Sequence, residues 1–156
     1  MTHKLPDHDT ARVALFPGSF NPFTKGHLSV LERFSPLFVK IIVAVGVNAG
    51  KPAHPAQTSR NLAAIKQATG HLANVEVKEF SGLTVDFAVG EGAGYIIRGV
   101  RDVADFEYER KMADVNRLLT GVETVFVFSL PEHQAISSSV VRELESYGRD
   151  VSQFLP

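Results

Sequence analysis

The chain contains no cysteine among its 156 residues. This absence excludes disulfide bonds, thiolate metal sites and thiol nucleophiles. No apolar run approaches the roughly 20 residues that a membrane helix needs, and the polar opening does not look like a signal peptide. An excess of one charge is also missing, because the formal net charge is −1. We therefore expect a soluble, cytoplasmic protein with no nucleic-acid or membrane partner, in which any basic site is a local cluster of Arg and Lys.

What is present is the pattern of one α/β domain. Hydrophobic residues make up 44% of the chain, which is ample for a single core. No repeat or linker divides residues 12–156, which we expect to form one domain after a flexible extension, residues 1–11. The pattern predicts strands near 12–16, 41–47, 75–80, 95–98 and 124–128, alternating with helices near 26–35, 59–69, 84–91, 103–119 and 138–146.

This alternation predicts a Rossmann-like, doubly wound sheet of about five parallel strands, with helices on both faces. Such sheets bind ligands at the carboxyl ends of their strands. The residues just after each predicted strand are therefore the first candidates for a functional site.

A Pro- and Gly-rich loop, residues 17–22, follows the first strand and leads into a helix with His27 in its first turn. Glycine lets the backbone approach a ligand closely, and the helix start offers free N–H groups to a phosphate. A tight turn with an incidental histidine is the alternative interpretation. The segment from Thr24 to His27 also matches the T/H-x-G-H box of nucleotidylyltransferases, which contacts nucleotide phosphates, and this match favours a functional site.

Two arginines, Arg98 and Arg101, follow the fourth predicted strand and flank Gly99. Because guanidinium groups bind phosphate through paired hydrogen bonds, the arrangement predicts a phosphate clamp. The alternative is a structural salt bridge to Asp102 or Asp105, which is plausible for one arginine and less so for both.

The ends of the second and fifth strands carry further candidates. Lys51 could reach an anionic group, although a lone loop lysine is more often simply solvated. Ser137, Ser138 and Ser139 open the last helix, where an N-cap explains one serine and a phosphate chain would suit all three. His133 lies close to them in sequence and is expected to border the site.

The segment 98–117, RGVRDVADFEYERKMADVNR, closely resembles the arginine segment of the phosphopantetheine adenylyltransferase family of nucleotidyltransferases. PGSFNPFTKGH at 17–27, ISSS at 136–139 and DVSQFLP at 150–156 have counterparts in the same family, so the similarity covers nearly all of 12–156. Two departures are Asn21, where the family usually has Asp, and Phe16, which replaces a frequent tyrosine.

The resemblance implies transfer of AMP from ATP to 4′-phosphopantetheine, giving dephospho-CoA and pyrophosphate. It also implies a homohexamer and Mg²⁺ held mainly by the ATP phosphates rather than by protein ligands. The implied catalytic residues are His27, Ser19, Lys51 and Arg98. The implied contacts with the acceptor are Ser19, Lys51, Arg98 and Thr84. The implied ATP site consists of Ser19, Phe20, His27, Gly99, Val100, Arg101, Glu109, His133, Gln134, Ala135, Ile136, Ser137, Ser138 and Ser139.

Two other functions remain open at this point. One is a related nucleotidyltransferase acting on nicotinate mononucleotide or a polyol phosphate, which Asn21 favours, whereas Thr24 and the arginine segment oppose it. The other is a non-catalytic nucleotide-binding module, which the joint presence of His27 and the basic residues opposes. In the adenylyl transfer the acceptor phosphate is itself a competent nucleophile, so no protein nucleophile is needed.

Overall fold

The computed structural model describes residues 12–47 and 55–156. The predicted extension 1–11 and Lys51 lie outside these described residues. The strands are β1 Val13–Gly18, β2 Lys40–Gly46, β3 Val75–Phe80, β4 Tyr95–Val100 and β5 Glu123–Phe128. The helices are α1 Lys25–Phe34, α2 Pro55–Thr69, α3 Thr84–Gly90, α4 Val103–Thr120 and α5 Ser138–Ser146, with short 3₁₀ turns at Ser35–Leu37, Pro131–His133 and Ser152–Phe154.

The five strands form one parallel sheet in the order β3-β2-β1-β4-β5. Successive side chains of a strand point to opposite faces, and the core is accordingly divided in two. On one face Leu31 of α1 and Ile65 of α2 pack against the sheet, and on the other Val85 and Ala88 of α3 do so. The prediction of a Rossmann-like sheet with helices on both faces is confirmed.

The strand order reverses between β1 and β4. From β1 the chain builds outward through β2 and β3, and it then returns to add β4 and β5 on the other side. β1 and β4 pair only at Ala14 with Tyr95 and Leu15 with Ile96, so the two strands separate towards their carboxyl ends. A parallel sheet opens its ligand crevice at such a reversal.

Three boundaries differ from the prediction. β1 continues to Gly18, so Pro17 and Gly18 of the predicted loop belong to the strand. α2 already includes Pro55, the first described residue after 47, whereas its start was predicted near 59. β4 continues to Val100, so Arg98 lies inside the strand instead of ending it, and its backbone pairs in register with Phe126. The charge at position 98 is compatible with a strand because its side chain has a carboxylate partner on α4.

None of the helices within 12–47 and 55–156 combines the length and the apolar character needed to cross a membrane.

Candidate active site

A cavity of about 390 Å³ opens at the carboxyl ends of β1 and β4, where the sheet order reverses. The starts of α1 and α5 complete its wall. The structure brings these predicted site residues together around it: Ser19, Phe20, His27, Arg98, Gly99, Arg101, Glu109, His133, Ile136, Ser137, Ser138 and Ser139.

The remaining predicted residues do not line this cavity. Val100 is buried at 3% exposure, and Gln134 and Ala135 belong to the turn that precedes the lining residues of α5. Thr84 lines a second, neighbouring cavity instead. Lys51 is outside the described residues.

His27 is fixed by a reciprocal hydrogen-bonded cap at the start of α1. The Thr24 backbone N–H donates to Nδ1 of His27 at 3.0 Å, and the His27 backbone N–H lies 3.5 Å from the Thr24 hydroxyl oxygen. Such a pair satisfies two amides that the first turn of a helix otherwise leaves free. Because Nδ1 accepts, the neutral ring carries its proton on Nε2 and has a donor at its opposite edge.

The surroundings of His27 keep its ring neutral. The ring stacks on Phe23 with centroids 5.4 Å apart and meets Phe20 edge-on at 5.0 Å. Burial, reinforced by the positive charges of Arg101 and Arg98, lowers the pKa of His27 from 6.5 to about 4. At neutral pH His27 is therefore an uncharged hydrogen-bond donor, held between two arginines and an aromatic wall.

The loop that carries Ser19 is held in a strained conformation. Phe20 has φ of 46°, in the left-handed region that a bulky residue seldom adopts. Its ring lies over Gly18, where an added Cβ would be 3.0 Å from the ring atoms. Asn61 of α2 donates from its side-chain amide to the Ser19 carbonyl oxygen at 3.2 Å. Ser19 is thereby placed on a rigid turn at the rim of the cavity.

Each predicted clamp arginine has a carboxylate partner. Arg98 binds Glu109 through two bonds, Nε to Oε2 at 2.8 Å and Nη2 to Oε1 at 2.6 Å, and its Nη1 donates to the Pro17 carbonyl oxygen at 3.0 Å. Arg101 donates from Nε to Asp105 at 3.0 Å. The alternative of a salt bridge to Asp102 or Asp105 holds for Arg101 alone, whereas Arg98 pairs with Glu109, one of the predicted ATP contacts.

The serine run connects α5 to the first loop. Ser137 is the N-cap, since its Oγ accepts from the Val140 N–H at 3.2 Å. Ser138 Oγ donates to the Pro22 carbonyl oxygen at 2.7 Å, and Ser139 Oγ lies 3.1 Å from Ser137 Oγ. Only one of the three serines caps the helix, and a second fastens the helix start to the loop that precedes α1.

A smaller cavity of about 210 Å³ lies beside the first, between α3, α4 and β4. Thr84 and Arg98, two of the predicted acceptor contacts, line it. Among the lining residues on α4 that sequence reasoning missed are Tyr108, Met112 and Asn116. Their spacing of four residues places them on one helix face, and this signal could have found them. The contact of Asn61 with Ser19 spans 42 residues and left no such signal.

In the part of the chain that the structure describes, no three His, Cys, Asp or Glu side chains are grouped so that they could hold a metal ion.

Comparison with known proteins first defines the class. The model of the cytidylyltransferase-like family matches residues 15–144. The crystal structure of a candidate nicotinate-nucleotide adenylyltransferase from Vibrio parahaemolyticus superposes with a TM-score of 0.64 over 93% of each chain. Its sequence identity is 21%, so it shows a common fold and no more. The chain is a cytidylyltransferase-like nucleotidyltransferase.

Curated relatives then narrow the family. Proteins named phosphopantetheine adenylyltransferase are similar over nearly the whole chain. The one from Leuconostoc citreum is 48% identical over 92% of this chain and 91% of its own. The one from Heliobacterium modesticaldum is 46% identical over 92% of this chain and 86% of its own. The one from Cytophaga hutchinsonii is 44% identical over 94% of this chain and 97% of its own. The chain belongs to the phosphopantetheine adenylyltransferase family, and the resemblance inferred from its motifs is confirmed.

Proposed function

We propose that this protein transfers the adenylyl group of ATP to 4′-phosphopantetheine, giving dephospho-CoA and pyrophosphate. Family membership supports the assignment. The observation that carries it is that two adjoining cavities meet at one arginine, Arg98. A two-substrate transfer needs this arrangement, because both reactants must be held with their phosphates at a common point.

The larger cavity is proposed to hold ATP. The starts of α1 and α5 border it, and free backbone amides at helix starts favour phosphate. His27 Nε2–H and the exposed Ser19 hydroxyl would donate to the α-phosphate, and Arg101 would add positive charge. His133 and Ile136, which precede α5 and line the same cavity, would face the nucleoside.

The smaller cavity is proposed to hold the pantetheine arm. It offers an apolar wall, including Leu83 and Met112, and polar groups from Thr84 and Asn116. That mixture suits a chain of methylenes and amides. Arg98, at the junction, would hold the acceptor phosphate, and Lys51 is proposed as a second positive charge for the same group.

The reaction we propose is a direct displacement. A phosphate oxygen of the acceptor attacks the α-phosphorus of ATP, a new P–O–P bond forms, and the bond to the β-phosphate oxygen breaks to release pyrophosphate. The acceptor phosphate is already anionic at neutral pH, so no general base is required. Catalysis then consists of positioning by Arg98 and Lys51 and of charge stabilisation by His27 and Ser19.

Mg²⁺ is proposed as the cofactor, held mainly by the ATP phosphates. The serine hydroxyls at the start of α5 line the same cavity and would offer neutral oxygens to the ion. When bound, Mg²⁺ would neutralise charge on the β- and γ-phosphates and so help pyrophosphate to leave.

A homohexamer is proposed for the assembled enzyme. Support comes from α4, an 18-residue helix with no buried residue within the single chain. On this helix, Val103 is 74% exposed and Leu118 is 78% exposed. Large exposed apolar patches commonly mark contacts between proteins. Light scattering after size exclusion tests the assembly, and Leu118→Glu should shift it to smaller species. We also propose a cytoplasmic location, which the requirement for ATP supports.

The test of function is pyrophosphate release from Mg·ATP, with 4′-phosphopantetheine and nicotinate mononucleotide as separate acceptors. We expect release with phosphopantetheine and formation of dephospho-CoA, identified by mass. Release with the mononucleotide alone would contradict the proposed acceptor while leaving the chemistry intact. No release with either acceptor, from folded protein, would contradict the enzymatic assignment.

A further inference from the structure

Thr124, near the start of β5, lines the smaller cavity. It pairs in register with Ile96 of β4, which lines the same cavity. The next pair, Ile97 with Val125, belongs to the other face of the sheet, where Ile97 packs in the core beneath α1 and α2. The Thr124 side chain is therefore directed to the face that α3 and α4 cover, at the cavity floor.

The Thr124 hydroxyl is unpaired in the part of the chain that the structure describes. Its Oγ1 is shielded from solvent and has no hydrogen-bond partner there. By contrast, the buried Thr69 donates from its Oγ1 to the Ile65 carbonyl oxygen at 2.8 Å. A hydroxyl that is removed from water without a hydrogen bond is costly, and valine would have the same β-branched shape without that cost. The packing of the chain alone therefore gives no reason for a hydroxyl at position 124.

The cavity extends from a charged end to an apolar one. Arg98 follows Ile96 by two residues in β4, which places it about 7 Å further towards the carboxyl end of the sheet. Leu83 and Met112 contribute apolar wall. A ligand whose phosphate is held at Arg98 would therefore present to Thr124 a group that lies a few atoms along its chain. In 4′-phosphopantetheine a short carbon chain joins the phosphate ester to the first amide, so an amide falls within this reach.

We propose that the Thr124 hydroxyl binds an amide of the pantetheine arm and so favours acceptors that carry one. The hydroxyl can donate to the amide carbonyl oxygen or accept from the amide N–H, and either bond satisfies Oγ1. The acceptor thus makes the hydrogen bond that the described residues leave unmade. The inference rests on the proposed function for the identity of the ligand, whereas the unpaired hydroxyl is a property of the chain itself.

Binding of 4′-phosphopantetheine, measured by calorimetry without ATP, gives the first test. Thr124→Val keeps the shape of the side chain and removes the hydroxyl, so the dissociation constant should rise about 3- to 10-fold, the effect of one neutral hydrogen bond. Thr124→Ser keeps the hydroxyl and should bind nearly as tightly as the wild type. In turnover, Thr124→Val should raise the KM for 4′-phosphopantetheine and leave kcat and the KM for ATP unchanged, because the bond is remote from the reacting phosphates.

The stability of the ligand-free protein gives the second test, which a purely structural role would answer differently. Thr124→Val removes an unpaired hydroxyl and should melt at or above the wild-type temperature, whereas Thr124→Ser loses a packed methyl group and should melt lower. The control is Thr69→Val on α2, which lines neither cavity. Because it loses the bond to the Ile65 carbonyl, it should melt lower and keep wild-type affinity for the acceptor.

The outcomes separate this inference from the proposed function. If Thr124→Val and the wild type bind 4′-phosphopantetheine equally, the inference is overturned and the proposed function stands. A lower melting temperature of Thr124→Val would also overturn it, because the hydroxyl would then be bonded within the folded, ligand-free protein. Failure of the wild type itself to bind 4′-phosphopantetheine would contradict the proposed function, together with the ligand inferred for Thr124.

Discussion

Replacing His27 by asparagine separates two tasks that one imidazole performs. Nδ1 accepts the Thr24 amide and so caps α1, whereas Nε2–H is the proposed donor to the α-phosphate. Asparagine can present its carbonyl oxygen where Nδ1 lies but has nothing at the position of Nε2. Glutamine can also complete this capping box through its side-chain carbonyl oxygen, whereas alanine can perform neither task.

The structure sets the expected magnitudes. Losing the Nε2 donor should lower kcat by about 10²–10³, the usual effect of removing one hydrogen bond that stabilises developing charge. Losing the cap leaves the Thr24 amide without its hydrogen-bond partner. Because Thr24 is only 1% exposed, this should lower the free energy of unfolding by about 1–3 kcal/mol. His27→Asn should therefore be nearly as slow as His27→Ala but more stable than it by about 1–3 kcal/mol. His27→Gln should retain the cap, because glutamine at this position completes a capping box with Thr24.

The assay combines pyrophosphate release at saturating Mg·ATP and phosphopantetheine with urea unfolding of the same preparations. Binding of ATP to each variant confirms that the cavity is intact. Wild-type turnover in a folded His27→Asn variant would refute the role of Nε2–H. Equal stability of the asparagine and alanine variants would refute the capping role of Nδ1.

Three further predictions follow from the same geometry. The pKa of His27 is lowered from 6.5 to about 4, so between these pH values the unfolded chain binds a proton that the folded protein does not. The free energy of unfolding should therefore rise with pH across that window. The midpoint of urea unfolding should rise less with pH in His27→Asn, which lacks the titrating ring. Gly18→Ala places a Cβ 3.0 Å from the Phe20 ring and should destabilise the fold by about 1–3 kcal/mol and slow turnover. Gly90→Ala is the control: its Cβ would have nothing within 4 Å, so it should change neither stability nor turnover. Thermal melts and turnover assays of both variants measure the difference. Excess EDTA should stop pyrophosphate release without lowering the melting temperature, and added Mg²⁺ should restore it, whereas a fall in melting temperature would indicate a protein-held ion.

Much of the fold was predictable because its signals are local. The β-branched run at 41–47 predicted a strand buried on both faces, and β2 occupies Lys40–Gly46 between β3 and β1 in the interior of the sheet. The predicted start of α2 near 59 was wrong, because residues 55–58 are already helical. Boundaries depend on caps, which a hydrophobic period does not report.

The candidate site was predictable where a contiguous motif carries it. The box from Thr24 to His27 located the histidine and its cap within four residues, because capping is a local interaction. The partner of Arg98 was not predictable, since Glu109 meets it only after α4 has packed across β4. Pairing across elements depends on tertiary packing, whereas the Arg101–Asp105 pair spans only four residues and was among the alternatives that the sequence offered.

The contacts between the first loop and the last helix have a consequence for biosynthesis. Ser138 binds the Pro22 carbonyl across 116 residues, Arg142 binds the Asn21 carbonyl across 121, and Lys25 binds the Gln153 carbonyl across 128. A ribosome delivers the loop 116 to 128 residues before these partners. Nascent chains released before residue 138 would therefore carry the histidine box without the wall that α5 supplies, and nucleotide binding would report that α5 has been synthesised.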